Sequence, residues 1–239
     1  MPEARYREIK REMIRRLKTG VWLPGRAIPS EARLKAEFNV AIGTIRKAVD
    51  ELVAEHLLIR RQGSGTYVPT HNQDRHLFYF FRVARQDGFI ESPAIETLHF
   101  KRGHATPEAA ARLGLRAGDA VISFRNALRL QAAVVMIDDI VIPWRRFKGL
   151  NEPKLRGRPN TIYNLYQDAF GINVVRAAES VRASLASSEL AALLGVPVNA
   201  PLLDVHRVVY TYDDVPVEYR RSFVNTTRHE YVNDLKKSV

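Results

Sequence analysis

The chain has no cysteine, so disulfides, thiolate metal sites and a cysteine nucleophile are excluded. It also lacks any apolar run near the roughly 18–20 residues needed to span a bilayer. The opening "MPEARYREIKREMIRRL" is charged throughout, without the apolar centre of a signal peptide. Together these absences lead to the expectation of a cytoplasmic protein with no membrane partner. Catalytic signatures are missing too. The seven histidines are scattered, and no H-x-x-x-H, G-x-S-x-G or phosphate-loop pattern occurs. Asp138-Asp139 and Asp213-Asp214 are adjacent carboxylates, but neighbours on a strand face opposite ways, and a hairpin tip suits the second pair. No enzyme, metal or cofactor is expected.

What is present is positive charge and enough apolar residues for a core. Hydrophobic residues make up 46% of 239, sufficient for one large domain or two ordinary ones. Net charge is +11, which favours an anionic partner. Residues 1–75 hold 15 Lys+Arg against 9 Asp+Glu, and residues 76–239 hold 22 against 17. The charge is therefore denser at the front.

The first 68 residues have a readable order. Tyr6, Ile9, Met13 and Leu17 fall at helical spacing, and Gly20 ends the run. After a Pro24-Gly25 turn, Ser30 is an N-cap for a short helix that buries Leu34 and Phe38. A third helix is expected from about Ala41 to Glu55, with Ile45, Val49 and Leu52 inward and Arg46, Lys47 and Asp50 outward. "LLIRRQGSGTYVP" then reads as two strands joined by "RQGSG". Three helices and a basic hairpin make a winged helix-turn-helix, whose third helix enters the major groove. Residues 69–76, "PTHNQDRH", read as a linker.

The stretch "YREIKREMIRRLKTGVWLPGRAIPSEARLKAEFNVAIGTIRKAVDELVAEHLLIRRQGSGTYV" resembles the DNA-binding domain of the GntR family of bacterial transcription regulators. The resemblance implies a homodimer on a pseudo-palindromic, double-stranded operator. It implies contacts from Arg33, Gly43, Thr44, Arg46 and Lys47, and from Gln62, Gly63 and Ser64 at the wing tip. The usual family reading is "VSRGTVRKAL". Here Ala41 stands for the capping serine, and Ile42 and Ala32 stand where arginines that contact DNA are frequent. An altered operator is expected, with Ile42 offering apolar contact to a thymine methyl.

The remaining residues, 77–239, repeat themselves. "TPEAAARLGLRAGDAVISF" and "SSELAALLGVPVNAPLLDV" each open on a capped helix, end it at glycine and continue into a strand and hairpin. The offset is 81, as from Glu108 to Glu189 and Gly114 to Gly195, and continuing it pairs Ile137 with Glu218. The expectation is a pseudo-symmetric α/β domain with both hairpins in one mixed or antiparallel sheet, and a ligand cleft where the halves meet. Glu218, Arg220 and Ser222 share one strand face, either towards solvent or towards a ligand.

"FYFFRVARQDG" through "PVEYRRSFVNTTRHEYVNDL" is similar to the UTRA effector-binding domain of the HutC-type branch of that family, with "TIYNLYQDAFGI" at its "SLY" segment. The resemblance implies a small-molecule effector held by Arg125, Thr161, Tyr163 and Glu218, with Arg82, Arg220 and Tyr231 as additions. Relatives often carry a second arginine two places after the first, where this chain has Ala127, so a carboxylate metabolite is expected rather than a phosphate. The full expectation is an α+β chain: a winged helix-turn-helix at 1–68, a linker at 69–76 and a chorismate-lyase-like effector and dimerisation domain at 77–239. It would act as a repressor. The alternative is an enzyme of that lyase-like fold fused to a DNA-binding head.

Overall fold

In the computed structural model, placement is described for residues 2–71, 81–87, 91–159 and 161–232, with side chains from residue 5 onward. The chain falls into two compact units that divide between His71 and Asn72. Most of the expected linker, 72–76, and the expected start of the second domain, 77–80, lie outside the described residues.

The first unit contains α1 (Pro2–Lys18), α2 (Glu31–Phe38), α3 (Ile42–Ala54) and a hairpin of β1 (Ile59–Arg61) and β2 (Gly65–Tyr67). Ile9, Met13 and Leu17 of α1 form a stripe at i, i+4, i+8 and are buried, as are Ile45, Ala48, Val49 and Leu52 of the facing α3. Ser30 caps α2 by accepting from the Arg33 amide, a contact contributing about 1 kcal/mol. Asn39, at φ 48, ends that helix. The wing is tighter than "RQGSG" suggested. Arg61 pairs with Gly65, so only Gln62, Gly63 and Ser64 form the loop. Gly63 (φ +69) and Gly65 (φ +116) take backbone conformations open to glycine at little cost.

The second unit is built on one antiparallel sheet of six strands. They are β4 (Ala94–His104), β5 (Ala120–Leu130), β6 (Ala133–Pro143), β7 (Arg176–Leu185), β8 (Pro201–Thr211) and β9 (Val215–Val224), in the order β4-β5-β6-β9-β8-β7. Two short strands, β3 (Val83–Arg85) and β10 (His229–Tyr231), pair separately. The helices are α4 (Pro107–Leu113), α5 (Glu152–Arg156), α6 (Ile162–Phe170) and α7 (Ser188–Leu194).

The duplication is real and one strand longer than its sequence signal. Each copy runs strand, helix, hairpin: β4-α4-β5-β6 and β7-α7-β8-β9. Thr106 and Ser187 cap the equivalent helices, and Gly114 and Gly195 end them at φ 62 and 65. The expected pairing of Ile137 with Glu218 is corrected by the register. Leu128 pairs with Met136 and Val209 pairs with Glu218, so the offset of 81 becomes 82 beyond the second hairpin. The cause is a turn one residue longer, Tyr212–Asp214, with Asp213 and Asp214 at positive φ. Asp138 is therefore equivalent to Arg220, and Asp139 to Arg221.

The sheet has two differently covered faces. Helices α4 and α7 cover one, burying Ala127, Ile137, Val208, Tyr219 and Phe223. The other lies under α6, with Ile122, Phe124, Ile140, Ile142, Tyr163 and Tyr166 in one apolar cluster. On this second face, beside that cluster, sits a buried polar array.

Candidate DNA interface and effector site

On the first unit, α3 starts at Ala41 (φ −63, ψ 146) with no side-chain cap. The Thr44 amide donates to the Ala41 carbonyl at 3.0 Å, while no side chain caps the amides before it, and such a helix N-terminus suits a phosphate. Gly43 is exposed, and a Cβ built there would meet no atom within 4 Å. Ile42 is 36% exposed, and Thr44 is half-buried beside it. Arg33 is exposed on α2.

Three of the expected contact residues, Arg46, Lys47 and Ser64, are already engaged within the unit. Arg46 Nε donates to Glu31 at 2.8 Å, and Arg60 donates to the other oxygen of the same carboxylate at 3.1 Å. The Lys47 ammonium lies 4.3 Å from the Tyr6 ring centre. Glu31 thus ties the recognition helix to the wing, which residue spacing did not reveal. At the wing tip, Ser64 Oγ is 2.6 Å from Tyr67 Oη, and Gln62 and Gly63 are exposed. Arg46, Gly43, Thr44 and the wing tip all belong to one small unit.

On the second unit, cross-strand register decides which expected effector residues share a face. Arg207, Arg220, Ile140 and Phe124 form one row; Ser222, Asp138, Asn126 and Thr97 form the next. Glu218 lies fully buried at the centre. It accepts from Tyr163 at 3.3 Å, Tyr166 at 2.7 Å and Arg220 Nε at 3.0 Å. Arg220 Nη1 donates to Asp138 at 2.8 Å, and Ser222 Oγ donates to the other Asp138 oxygen at 2.6 Å. Farther along, Glu179 accepts from Arg207 and from Tyr231 at 2.6 Å, and Arg82 lies 3.3 Å from it. Thr161 caps α6 by accepting from the Asn164 amide.

Tyr163, Glu218, Arg220, Tyr231 and Arg82 therefore belong to one polar array, with Thr161 at the helix that covers it. Arg125 does not. It points to the opposite face, where Asp139 takes it bidentately, at 2.5 and 2.8 Å, and Glu189 of α7 takes its remaining side. A cavity of about 400 Å³ lined by His99, Lys101, Arg125, Asp139 and Glu189 opens on that other face. Ala127 is likewise on the helix-covered face, in the apolar cluster. Strand alternation separates both from Tyr163. On the array's own face the neighbouring position is Asn126, which accepts from Thr97 at 2.9 Å.

Burial pushes the Tyr163 hydroxyl up to about 12, with Glu218 adding to the effect. Burial pushes Asp138 above the ordinary carboxylate range against the pull of Arg220. Arg158, half-buried on the loop before α6, is lowered by burial and by the like charge of Arg220. Arg220 Nη2 is buried with no hydrogen-bond partner. The array's carboxylates are satisfied, whereas an arginine edge is left over. Such a surplus donor calls for an anion. Sequence reasoning missed Arg207, Glu179, Tyr166 and Arg158. Arg207 and Glu179 had a signal, as charges inside the alternating runs "VHRVV" and "AAESV".

The comparisons agree with this two-part reading. Residues 5–68 match the model of bacterial regulatory proteins of the gntR family, and residues 91–230 match the UTRA domain. The chain belongs to the GntR family. Relatives include the probable fructoselysine utilization operon transcriptional repressor of Escherichia coli K12, 26% identical over 97% of this chain and 95% of the relative. The transcriptional repressor NagR of Bacillus subtilis is 25% identical over 95% of this chain and 93% of its own. Among solved structures, the ligand-binding domain of a protein described as a GntR-family regulator from Bordetella bronchiseptica is 38% identical. It superposes with a TM-score of 0.62 over 65% of this chain and 97% of its own. This GntR member is a DNA-binding transcription regulator with a UTRA effector domain. The alternative of a lyase-like enzyme finds no support among these relatives. No helix among the described residues is long and apolar enough to cross a membrane.

Proposed function

We propose that this regulator is a cytoplasmic, homodimeric repressor released from its operator by a small carboxylate metabolite. The carrying observation is the buried, unpartnered Nη2 of Arg220 beside satisfied Glu218 and Asp138. Arg207, Arg220, Arg82 and Arg158 face three carboxylates, Asp138, Glu179 and Glu218, so the surplus charge is small. A single negative charge balances it better than a phosphate dianion does. The proposed effector residues are Arg82, Thr161, Tyr163, Glu218, Arg220 and Tyr231; Arg125 is withdrawn because it faces the other way. The relatives' names, with fructoselysine utilization among them, support a metabolite-controlled repressor.

The head is proposed to span 1–68, the linker 69–76 and the effector and dimerisation domain 77–239. A dimer places two recognition helices on adjacent half-sites. Arg33, Gly43, Thr44, Arg46, Lys47, Gln62, Gly63 and Ser64 supply the DNA contacts, with Ile42 against a thymine methyl. The effector shifts operator affinity only as far as it binds the two states differently.

Two measurements test this. Thermal shift against a panel of carboxylates and sugar phosphates should respond to carboxylates; a response to sugar phosphates alone overturns the effector class. Arg46→Ala should weaken binding to a selected operator by about 1–3 kcal/mol, and unchanged binding removes Arg46 from the interface.

A further inference from the structure

The second unit's excess charge is not spread over it. Residues 76–239 hold 22 Lys+Arg against 17 Asp+Glu, while 144–158, "WRRFKGLNEPKLRGR", hold six against one. The other residues of 76–239 are balanced at sixteen of each sign. One fifteen-residue stretch carries the whole surplus.

That stretch is a fixed platform. The 3₁₀ turn Trp144–Arg146 and the helix α5 are anchored by Phe147, Leu150 and Leu155, all fully buried. Phe147 packs on Tyr166 and Phe170, with ring centres 4.6 and 5.4 Å apart. Edge strand β4 is drawn in as well. The Arg102 guanidinium lies 4.3 Å from the Trp144 ring centre, and the Arg156 side chain donates to the Thr97 carbonyl. Arg145, Arg146, Lys148 and Lys154 are exposed on this base.

Three cations without acidic partners fall within four residues here, whereas the exposed Lys101, Arg116 and Arg182, also in no ion pair among the described residues, are scattered. Other cations of the unit, such as Arg129, Arg176 and Arg221, are paired with Glu96, Asp214 and Asp204. Arg145, Arg146 and Lys148 form no ion pair among the described residues. The pseudo-symmetry provides an internal comparison. After β9 the equivalent stretch, 225–239, holds three cations, Arg228, Lys236 and Lys237, against two acids, Glu230 and Asp234, and has nothing like the Arg145-Arg146-Lys148 cluster directly after the strand. The basic platform therefore belongs to one copy only and is not required by the repeated architecture.

We propose that Arg145, Arg146 and Lys148 form a second DNA-backbone contact, engaging duplex that flanks the operator. The inference rests on the DNA-binding role of the first unit. Exposed cations without carboxylate partners gain most from phosphates, because binding them releases condensed counterions. Tethering makes weak contacts count. Once the head holds its site, flanking duplex is present to the second unit at high effective concentration. Contacts of this kind position without reading sequence.

The test uses the full chain and a duplex selected by it from a random library, embedded in about 20 and about 60 base pairs. Wild type should bind the longer duplex more tightly and with a steeper salt dependence. The triple variant Arg145→Ala, Arg146→Ala, Lys148→Ala should match wild type on the short duplex and in thermal melting. On the long duplex it should lose the length advantage, with a salt slope lower by about 0.9 for each phosphate contact removed. Retention of that advantage by the variant overturns the inference, as does its absence in wild type, the result expected if the platform served an acidic protein. No DNA binding by wild type at any length would instead refute the DNA-binding role itself.

Discussion

Asp138 and Arg220 stand at equivalent positions of the two repeats and are ion-paired to each other, 2.8 Å apart, beneath α6. Arg220 also holds Glu218, so its removal strands two buried carboxylates. Arg220→Leu should lower the unfolding free energy by about 3–5 kcal/mol in urea titration. Adding Asp138→Asn should recover part of that loss. A double variant no more stable than the single one would contradict this account of the pair.

The two faces of the sheet make opposite predictions for two expected effector residues. Tyr163→Phe removes a hydroxyl from Glu218 and should weaken the carboxylate-induced thermal shift about tenfold in midpoint concentration. Arg125→Ala should leave that midpoint within about twofold, since its guanidinium is occupied by Asp139 and Glu189 on the other side. An effector response lost in Arg125→Ala would return this residue to the pocket.

Gly43 separates stability from recognition. A methyl group there meets nothing within 4 Å, and the residue lies in the first turn of α3. Gly43→Ala should raise stability by up to about 1 kcal/mol through helix propensity. It should also weaken operator binding, because the methyl occupies space the DNA backbone needs. Calorimetry and anisotropy should therefore move in opposite directions; improved binding would show that the duplex does not come close at this point.

Acid sensitivity should pass through Glu179. Burial raises its carboxyl, but Arg207, Tyr231 and Arg82 outweigh burial and hold it below the ordinary 4.5. The unfolded chain therefore takes up its proton first as pH falls. The contribution is complete above about pH 4.5 and is lost as pH drops through the lowered folded value. In Glu179→Gln the stability change between about pH 5 and pH 3 should be shallower than in wild type. Identical acid limbs would exclude Glu179 as a source.

Local signals carried most of the fold. Ser30, Thr106 and Ser187 could be recognised as caps because a hydroxyl before an acidic first turn has few other uses there, and all three accept the expected amide. The unpaired start of α3 was likewise visible in Ala41 and Ile42. The effector array was less legible, because it depends on strand register. A slip of one residue exchanges faces. Resemblance to relatives grouped Arg125 and Ala127 with Tyr163, and only the register shows that they lie on the other face, with Asn126 on the array's own. Glu31 was missed for a related reason: its partners Arg46 and Arg60 lie 15 and 29 residues away, and only the folded unit brings them together.

The extra residue in the second hairpin shows that the two halves are not identical in structure. In an assembly of two identical subunits, residues meeting across the axis are copies, so an acid there faces an acid. Joining both halves in one polypeptide removes that constraint. Here Asp138 meets Arg220 at the equivalent position, a pair of opposite charges at the centre. A binding surface formed this way need not be symmetric, and it suits a ligand whose two ends differ.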